Sequence, residues 1–172
     1  MQFDETQIRS VVEEVAQNLG LKTSSPAIIS TSTRTTGKGE DGIFDQIEDA
    51  INAASDAQRA LVAMSLDTRR AIVSTIRETA MLHAKGLAKC TLDETGMGRI
   101  SHKIRKFEVA AQLTPGVEDL EPQAWSGDHG LTVVEPAPFG VAAAITPSTH
   151  PIPTIINNAI SFIAAGNSVV FN

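Results

Sequence analysis

The chain is predicted to be an α/β protein, with helices through its middle and one strand–helix–strand unit of a parallel sheet at its end. Val141 to Ile145 is a short, unbroken apolar run opened by Gly140 and closed by Thr146-Pro147, the pattern of a strand buried on both faces. Ile155, Ile156, Ala159, Ile160 and Ile163 then recur at helical spacing, and Ser168 to Phe171 restarts a β pattern. Upstream, residues 43–113 carry successive apolar stripes of helical period. Short crossovers between parallel strands are right-handed, and that is the expectation for this one.

Composition bounds the function. With 172 residues the chain suffices for one core or for part of a larger fold. Its net charge of −6 and scattered basic residues argue against a nucleic-acid surface. No apolar stretch approaches the ~20 residues of a membrane span, and the N-terminus lacks the basic-then-apolar order of a secretory signal. A single cysteine forms no internal disulfide, so a reducing cytoplasm is the expected compartment.

Residues 1–20 read as a separate amphipathic helix. Asp4 and Gln7 have capping-box spacing, Ile8, Val11, Val12, Val15 and Leu19 share a stripe, and Gly20 ends it. Residues 21–42 are rich in Ser, Thr, Gly and Pro, a composition that buries too little apolar area to offset its ordering entropy and reads as a linker. A tethered helix of about five turns is marginal alone, so its apolar face wants a partner: another protein, or the chain's own domain. Its acidic polar face argues against a membrane surface. Gly37-Lys38-Gly39-Glu40-Asp41-Gly42 matches G-x-G-x-x-G, but Ser30 to Thr36 is wholly polar where a buried strand is required. Glu40 and Asp41 would also place negative charge where a pyrophosphate sits, so linker glycines are the better reading.

In the region 43–172, Ile43, Ile47, Ala50, Ile51, Ala54 and Ala57 make a first helical stripe reaching about Met64. Ser65 or Asp67 starts a second helix with Ile72, Val73, Ile76, Ala80 and Leu82 inward. A third runs from about Lys85 to Thr95 and stops at Gly96; a fourth holds Ile104, Phe107, Ala110, Ala111 and Leu113. Cys90, mid-helix with no histidine suitably placed to pair with it, is expected to be a buried, inert thiol. Residues 114–138 read as loop, anchored by Trp125, with one strand at Leu131 to Glu135 before Pro136 and Pro138 interrupt pairing. His83, His102, His129 and His150 share no ligand-like interval, so no metal site is expected.

The candidate site is the loop Ile145-Thr146-Pro147-Ser148-Thr149, followed by His150. In open α/β sheets, ligands lie beyond the carboxyl ends of strands, where a loop feeds a helix whose positive end and free amides point outward. Ser148 and Thr149 are available as caps, Pro151 and Pro153 suit a first helical turn, and Gly166 suits a left-handed C-cap. The same residues also suffice to shape a tight connection with no ligand. His150 is either a positioning group or a solvent-facing histidine.

These motifs carry a resemblance. G-V-x-x-x-I-T-P at 140–147 and A-A-G-N-S-V-V-F at 164–171 resemble the start of the cofactor domain of aldehyde dehydrogenases. T-P-S-T-H-P, I-I-N-N-A-I-S, D-E-T-G-M-G at 93–98, T-P-G-V-E at 114–118 and G-D-H-G-L-T at 127–132 resemble the coenzyme-A-acylating branch found in bacterial microcompartments. The resemblance runs from about residue 43 to the end. It implies an aldehyde dehydrogenase-like fold in which residues 43–172 are part of the cofactor-binding domain. The strand near Leu131 would join a β extension through which such enzymes form homo-oligomers. Residues 1–20 resemble an encapsulation peptide, implying microcompartment shell or core proteins as partners and the microcompartment lumen as location.

The implied chemistry oxidises an aldehyde with NAD and passes the acyl group to coenzyme A: a cysteine thiolate attacks, hydride leaves to nicotinamide, and coenzyme A resolves the thioester. Ile145, Thr146, Pro147 and Ser148 match the loop lining the nicotinamide side of NAD. Thr149 stands where most of the family has an oxyanion-supporting Asn, and Asn172 stands where many relatives place a Lys against the adenosine ribose. Cys90 does not match the nucleophile motif, which would lie downstream. The chain alone is therefore expected to be an inactive N-terminal fragment, with no catalytic residue of its own beyond the Thr149 position. The alternative from another class is a non-enzymatic cargo or assembly module docking to a shell or to full-length subunits.

Overall fold

The computed structural model describes residues 42–172. The amphipathic helix expected over 1–20, nearly all of the linker and most of the glycine motif at 37–42 lie outside the described residues. Helix α1 spans Ile47–Val62, α2 Leu66–Thr95, α3 Ile100–Leu113 and α4 Pro151–Ala164. Strands β1 (Gln123–Gly127) and β2 (Gly130–Val134) form an antiparallel hairpin, while β3 (Val141–Ala144) and β4 (Ser168–Phe171) pair in parallel across α4. The strand–helix–strand unit stands as expected. No helix among the described residues is long and apolar enough to cross a membrane.

The middle of the chain differs from expectation in one respect: the second and third helices are a single 30-residue α2. Val73, Ala80, Ala84, Ala88 and Thr91 stay in phase on one buried stripe, so nothing interrupts the helix near residue 85. Gly86 costs roughly 1 kcal/mol relative to Ala at such a position, too little to break a packed helix. Ser65 caps it, its Oγ accepting from Thr68 N at 3.1 Å, and Gly96 ends it at φ 63°. The register puts Leu82 on the solvent side, 78% exposed rather than inward. Leu113, at the last turn of α3, is likewise exposed. Cys90 is exposed too, correcting the buried thiol. It lies two positions from buried Ala88 and one from buried Thr91, a rotation of roughly 100–200° off the stripe.

The core lies among α2, α3 and α4. Phe107 and Ile160 are its large fully buried side chains, and Ala80, Ala84, Ala88 and Ala111 let the helices approach closely. Both α1 and α4 pack against β4. The strand expected to be buried on both faces is not: in β3 only Ala144 is buried, and Val141 is 38% exposed. Among the described residues β3 has one neighbouring strand, so the helices cover only part of it.

The loop-rich region contains a strand the sequence concealed. Gln123–Gly127 pairs with Gly130–Val134 from Gln123↔Val134 to Gly127↔Gly130, around the two-residue turn Asp128-His129. All ten strand residues are exposed, so no alternation marked β1, and Trp125 is an exposed hairpin residue rather than a buried anchor.

Candidate functional site

The loop at 145–149 is held from several directions. At its start, Thr146 N donates to Asn172 Oδ1 (3.2 Å) and Thr146 Oγ1 donates to the Asn172 carbonyl (2.9 Å), tying the exit of β3 to the exit of β4. At its end, the His150 carbonyl accepts from Thr154 N (3.3 Å) and Thr154 Oγ1 (3.0 Å), closing the first turn of α4. Between these anchors Pro147, Ser148 and Thr149 face solvent, and Ile145, just before the first, is 82% exposed. The loop thus presents an open surface on a fixed base.

The expected caps are not the caps. His150 is the N-cap of α4, at φ −159° and ψ 68°, and no side chain caps the helix. Instead Thr149 Oγ1 and His150 Nδ1 hydrogen-bond each other at 3.1 Å. The amide supply is also thinner than expected. Pro151 and Pro153 have no N–H, and Thr146 N is already bonded. Exposed Ile145, Pro147 and Ser148 offer a surface against which a neutral group can lie.

The opposite end of α4 fixes the unit's geometry through the expected Gly166 cap and through Gln58, Arg69 and Asn167, which sequence reasoning missed. Gly166 at φ 80° follows the last turn, with Gly166 N bonded to Ile163 O (3.0 Å) and Asn167 N to Phe162 O (2.7 Å), a Schellman cap. Gln58 Nε2 donates to Gly166 O (3.1 Å) and Arg69 Nη1 to Ala164 O (3.0 Å), serving carbonyls the helix leaves unpaired. Asn167, only 4% exposed, turns its Oδ1 back to accept from Phe139 N (2.6 Å) and Gly140 N (2.9 Å), where β3 begins. The motif A-A-G-N-S is therefore a helix stop plus a strand anchor. T-P-G-V-E is a second clamp: Arg77 Nη2 donates to Thr114 O (2.7 Å) and Glu118 Oε1 (2.6 Å), and Gly116 N donates to the same carboxylate (3.1 Å). The Arg77 guanidinium holds the Glu118 carboxyl below its usual range, with the backbone amides assisting. A Cβ on Gly116 would meet Glu118 Oε2 at 2.8 Å and Arg77 Nη2 at 2.9 Å, so a larger residue there would push the two side chains of the clamp aside.

Beside the loop, α3 and α4 enclose a groove of about 740 Å³. Its walls include Val109, Leu113 and Pro153, and His102, Arg105, Lys106 and His150 also line it. A second groove of about 810 Å³ lies between α1 and β4, lined by Ile43, Ala54, Leu61 and Phe171.

Comparison with known proteins agrees with the motifs. The chain is 45% identical over 160 residues to the acetylating acetaldehyde dehydrogenase of Escherichia coli, covering 93% of this chain and 33% of that protein. It is 40% identical over 168 residues to the CoA-propanoylating propanal dehydrogenase of Salmonella typhimurium, covering 98% and 34%. Among solved structures, the propionaldehyde dehydrogenase of the Clostridium phytofermentans fucose utilisation microcompartment superposes with a TM-score of 0.73 at 52% identity, covering 76% of this chain and 30% of that one. The Rhodopseudomonas palustris propionaldehyde dehydrogenase, solved with bound CoA and an acylated cysteine, superposes at 0.74 with 44% identity, covering 77% and 30%. The chain thus spans about a third of the length of these relatives. Its helices, hairpin and β3–α4–β4 unit have the aldehyde dehydrogenase-like fold of these neighbours. The profile of the aldehyde dehydrogenase family matches residues 20–172, and the chain belongs to that family.

Proposed function

We propose that this chain is the N-terminal part of a CoA-acylating aldehyde dehydrogenase, converting an aldehyde, NAD and CoA to an acyl-CoA and NADH. The observation that carries the reading is the braced loop between β3 and α4, in a chain 40–52% identical to acylating enzymes. When bound, NAD accepts hydride from the carbon being oxidised. Ile145, Thr146, Pro147 and Ser148 would lie along its nicotinamide side, where the exposed Ile145 and Pro147 side chains suit a neutral carboxamide and ribose. Thr149 would offer one hydroxyl donor near the oxyanion in place of an amide. The short-chain aldehyde would occupy the α3–α4 groove beside the loop. Cys90 lies on α2, and we assign the reacting thiol elsewhere in the enzyme.

The hairpin, with Trp125 and Leu131 exposed, we assign to homo-oligomer assembly, and residues 1–20 to microcompartment encapsulation ahead of a linker at 21–42. A chimera tests the reading: residues 43–172 replace the corresponding segment of the C. phytofermentans enzyme. It is expected to form acyl-CoA and NADH, and Thr149→Val in the chimera to lower kcat more than it raises KM. A folded chimera that binds NAD but makes no acyl-CoA would overturn the assignment. The 172-residue chain alone is expected to produce no NADH from propionaldehyde, NAD and CoA.

A further inference from the structure

One hydrogen bond at the head of α4 ties no two elements of the fold together. Thr149 Oγ1 and His150 Nδ1 lie 3.1 Å apart, and both residues are exposed neighbours in sequence. The backbone behind the imidazole holds it there. The His150 carbonyl accepts from Thr154 N at 3.3 Å and from Thr154 Oγ1 at 3.0 Å. Pro151 follows directly, and its ring restricts the residue before it.

The direction of this bond decides what Thr149 has left to offer. A hydroxyl carries one proton. Donated to Nδ1, that proton is spent, and Thr149 turns only lone pairs to the open face of the loop. With the proton on Nδ1 instead, the ring donates to Thr149 Oγ1, and the hydroxyl proton is free to point outward. The surroundings favour the second arrangement. A neutral ring protonated at Nδ1 has a lone pair at Nε2, its remaining polar atom. His150 shares a small cavity with Lys103 and Lys106, whose ammonium groups only donate, and the adjoining groove adds His102 and Arg105. Thr91, also at that cavity, already donates its hydroxyl to Leu87 O at 2.8 Å. A lone pair suits so cationic a neighbourhood, and an N–H opposes it.

We propose that His150 is a positioning residue for Thr149: its Nδ1–H donates to Thr149 Oγ1 and so aims the hydroxyl proton at the aldehyde oxygen that becomes negative when a thiolate adds. The role rests on the dehydrogenase reading, in which Thr149 stands near that oxygen. A donor already oriented stabilises the developing charge without reorganising at the moment of reaction.

The tautomer is read without any reaction. Long-range proton–nitrogen correlation spectra of the 172-residue chain, in alkaline buffer where imidazole is neutral, distinguish a protonated ring nitrogen from a bare one. A protonated Nδ1 is expected at His150, with exposed His83 and His129 as references. A bare Nδ1 overturns the proposal and leaves the dehydrogenase reading standing. In the chimera, His150→Phe should lower kcat about tenfold, as for loss of one oriented hydrogen bond, with KM for NAD and aldehyde unchanged. His150→Asn, whose amide can donate from a similar position, should retain most of kcat. Combined with Thr149→Val, His150→Phe should cost nothing further, because the hydroxyl it aims is gone. Equal losses with and without the Thr149 hydroxyl overturn the role, and a chimera that makes no acyl-CoA overturns the dehydrogenase reading and this role with it. Should His150→Phe fail to fold, the tautomer decides alone.

Discussion

Replacing Asn167 by Ala removes one oxygen on which two backbone amides converge. Both partners, Phe139 N and Gly140 N, are donors, so the side-chain oxygen must face them at 2.6 and 2.9 Å. A buried amide left without an acceptor costs about 1–3 kcal/mol. Gly140 is half-buried and bears most of that penalty, whereas Phe139, fully exposed in its side chain, recovers part of its own from water. The sum is about 2–3 kcal/mol, or a Tm lowered by roughly 5–10 °C for a chain of this size. Urea unfolding followed by far-UV circular dichroism reads it, with an unchanged m-value marking a native-state loss. The control is Ser161→Ala, an exposed position on α4 whose side chain makes no hydrogen bond among the described residues, which should change stability by under about 0.5 kcal/mol. Equal stability of Asn167→Ala and wild type would refute the claim that this side chain anchors the entry to β3.

Other substitutions test neighbouring parts of the scaffold. Gly166→Ala puts a Cβ at φ 80° and 3.1 Å from Arg69 Nη1, and should cost about 1–2 kcal/mol in the same unfolding assay. Arg69→Met, removing the donor to Ala164 O and the cation at the end of α4, should cost about 1–2 kcal/mol, less at high salt. The depressed Glu118 carboxyl contributes stability that is present above its ordinary value of 4.5 and lost as pH falls through the lower, folded-state value. Because Glu118 is 54% exposed the gain is under about 1 kcal/mol, and the difference between wild type and Glu118→Gln should vanish in acid. Cys90 should react fully with Ellman's reagent in native buffer, at a rate that denaturant hardly raises.

Local chemistry was sufficient for much of this protein. The apolar runs of β3 and β4, the Pro-rich start and Gly-terminated end of α4, and the Ser65 and Gly96 boundaries of α2 each depend on a few adjacent residues, whose backbone preferences act whatever packs around them. The family's T-P-S-T-H-P and A-A-G-N-S motifs were legible for the same reason. Burial and partnership were not, because they are set by residues far apart in the chain. Whether Leu82 and Cys90 face in or out depends on the phase of one continuous 30-residue helix against α3 and α4. The β1 strand exists through its pairing with β2, with no buried face to write a pattern into its sequence. Asn167 holding Phe139 and Gly140, Arg69 and Gln58 serving the end of α4, and buried Lys103 reaching the cavity beside Thr149 and His150 each join segments that only folding brings together.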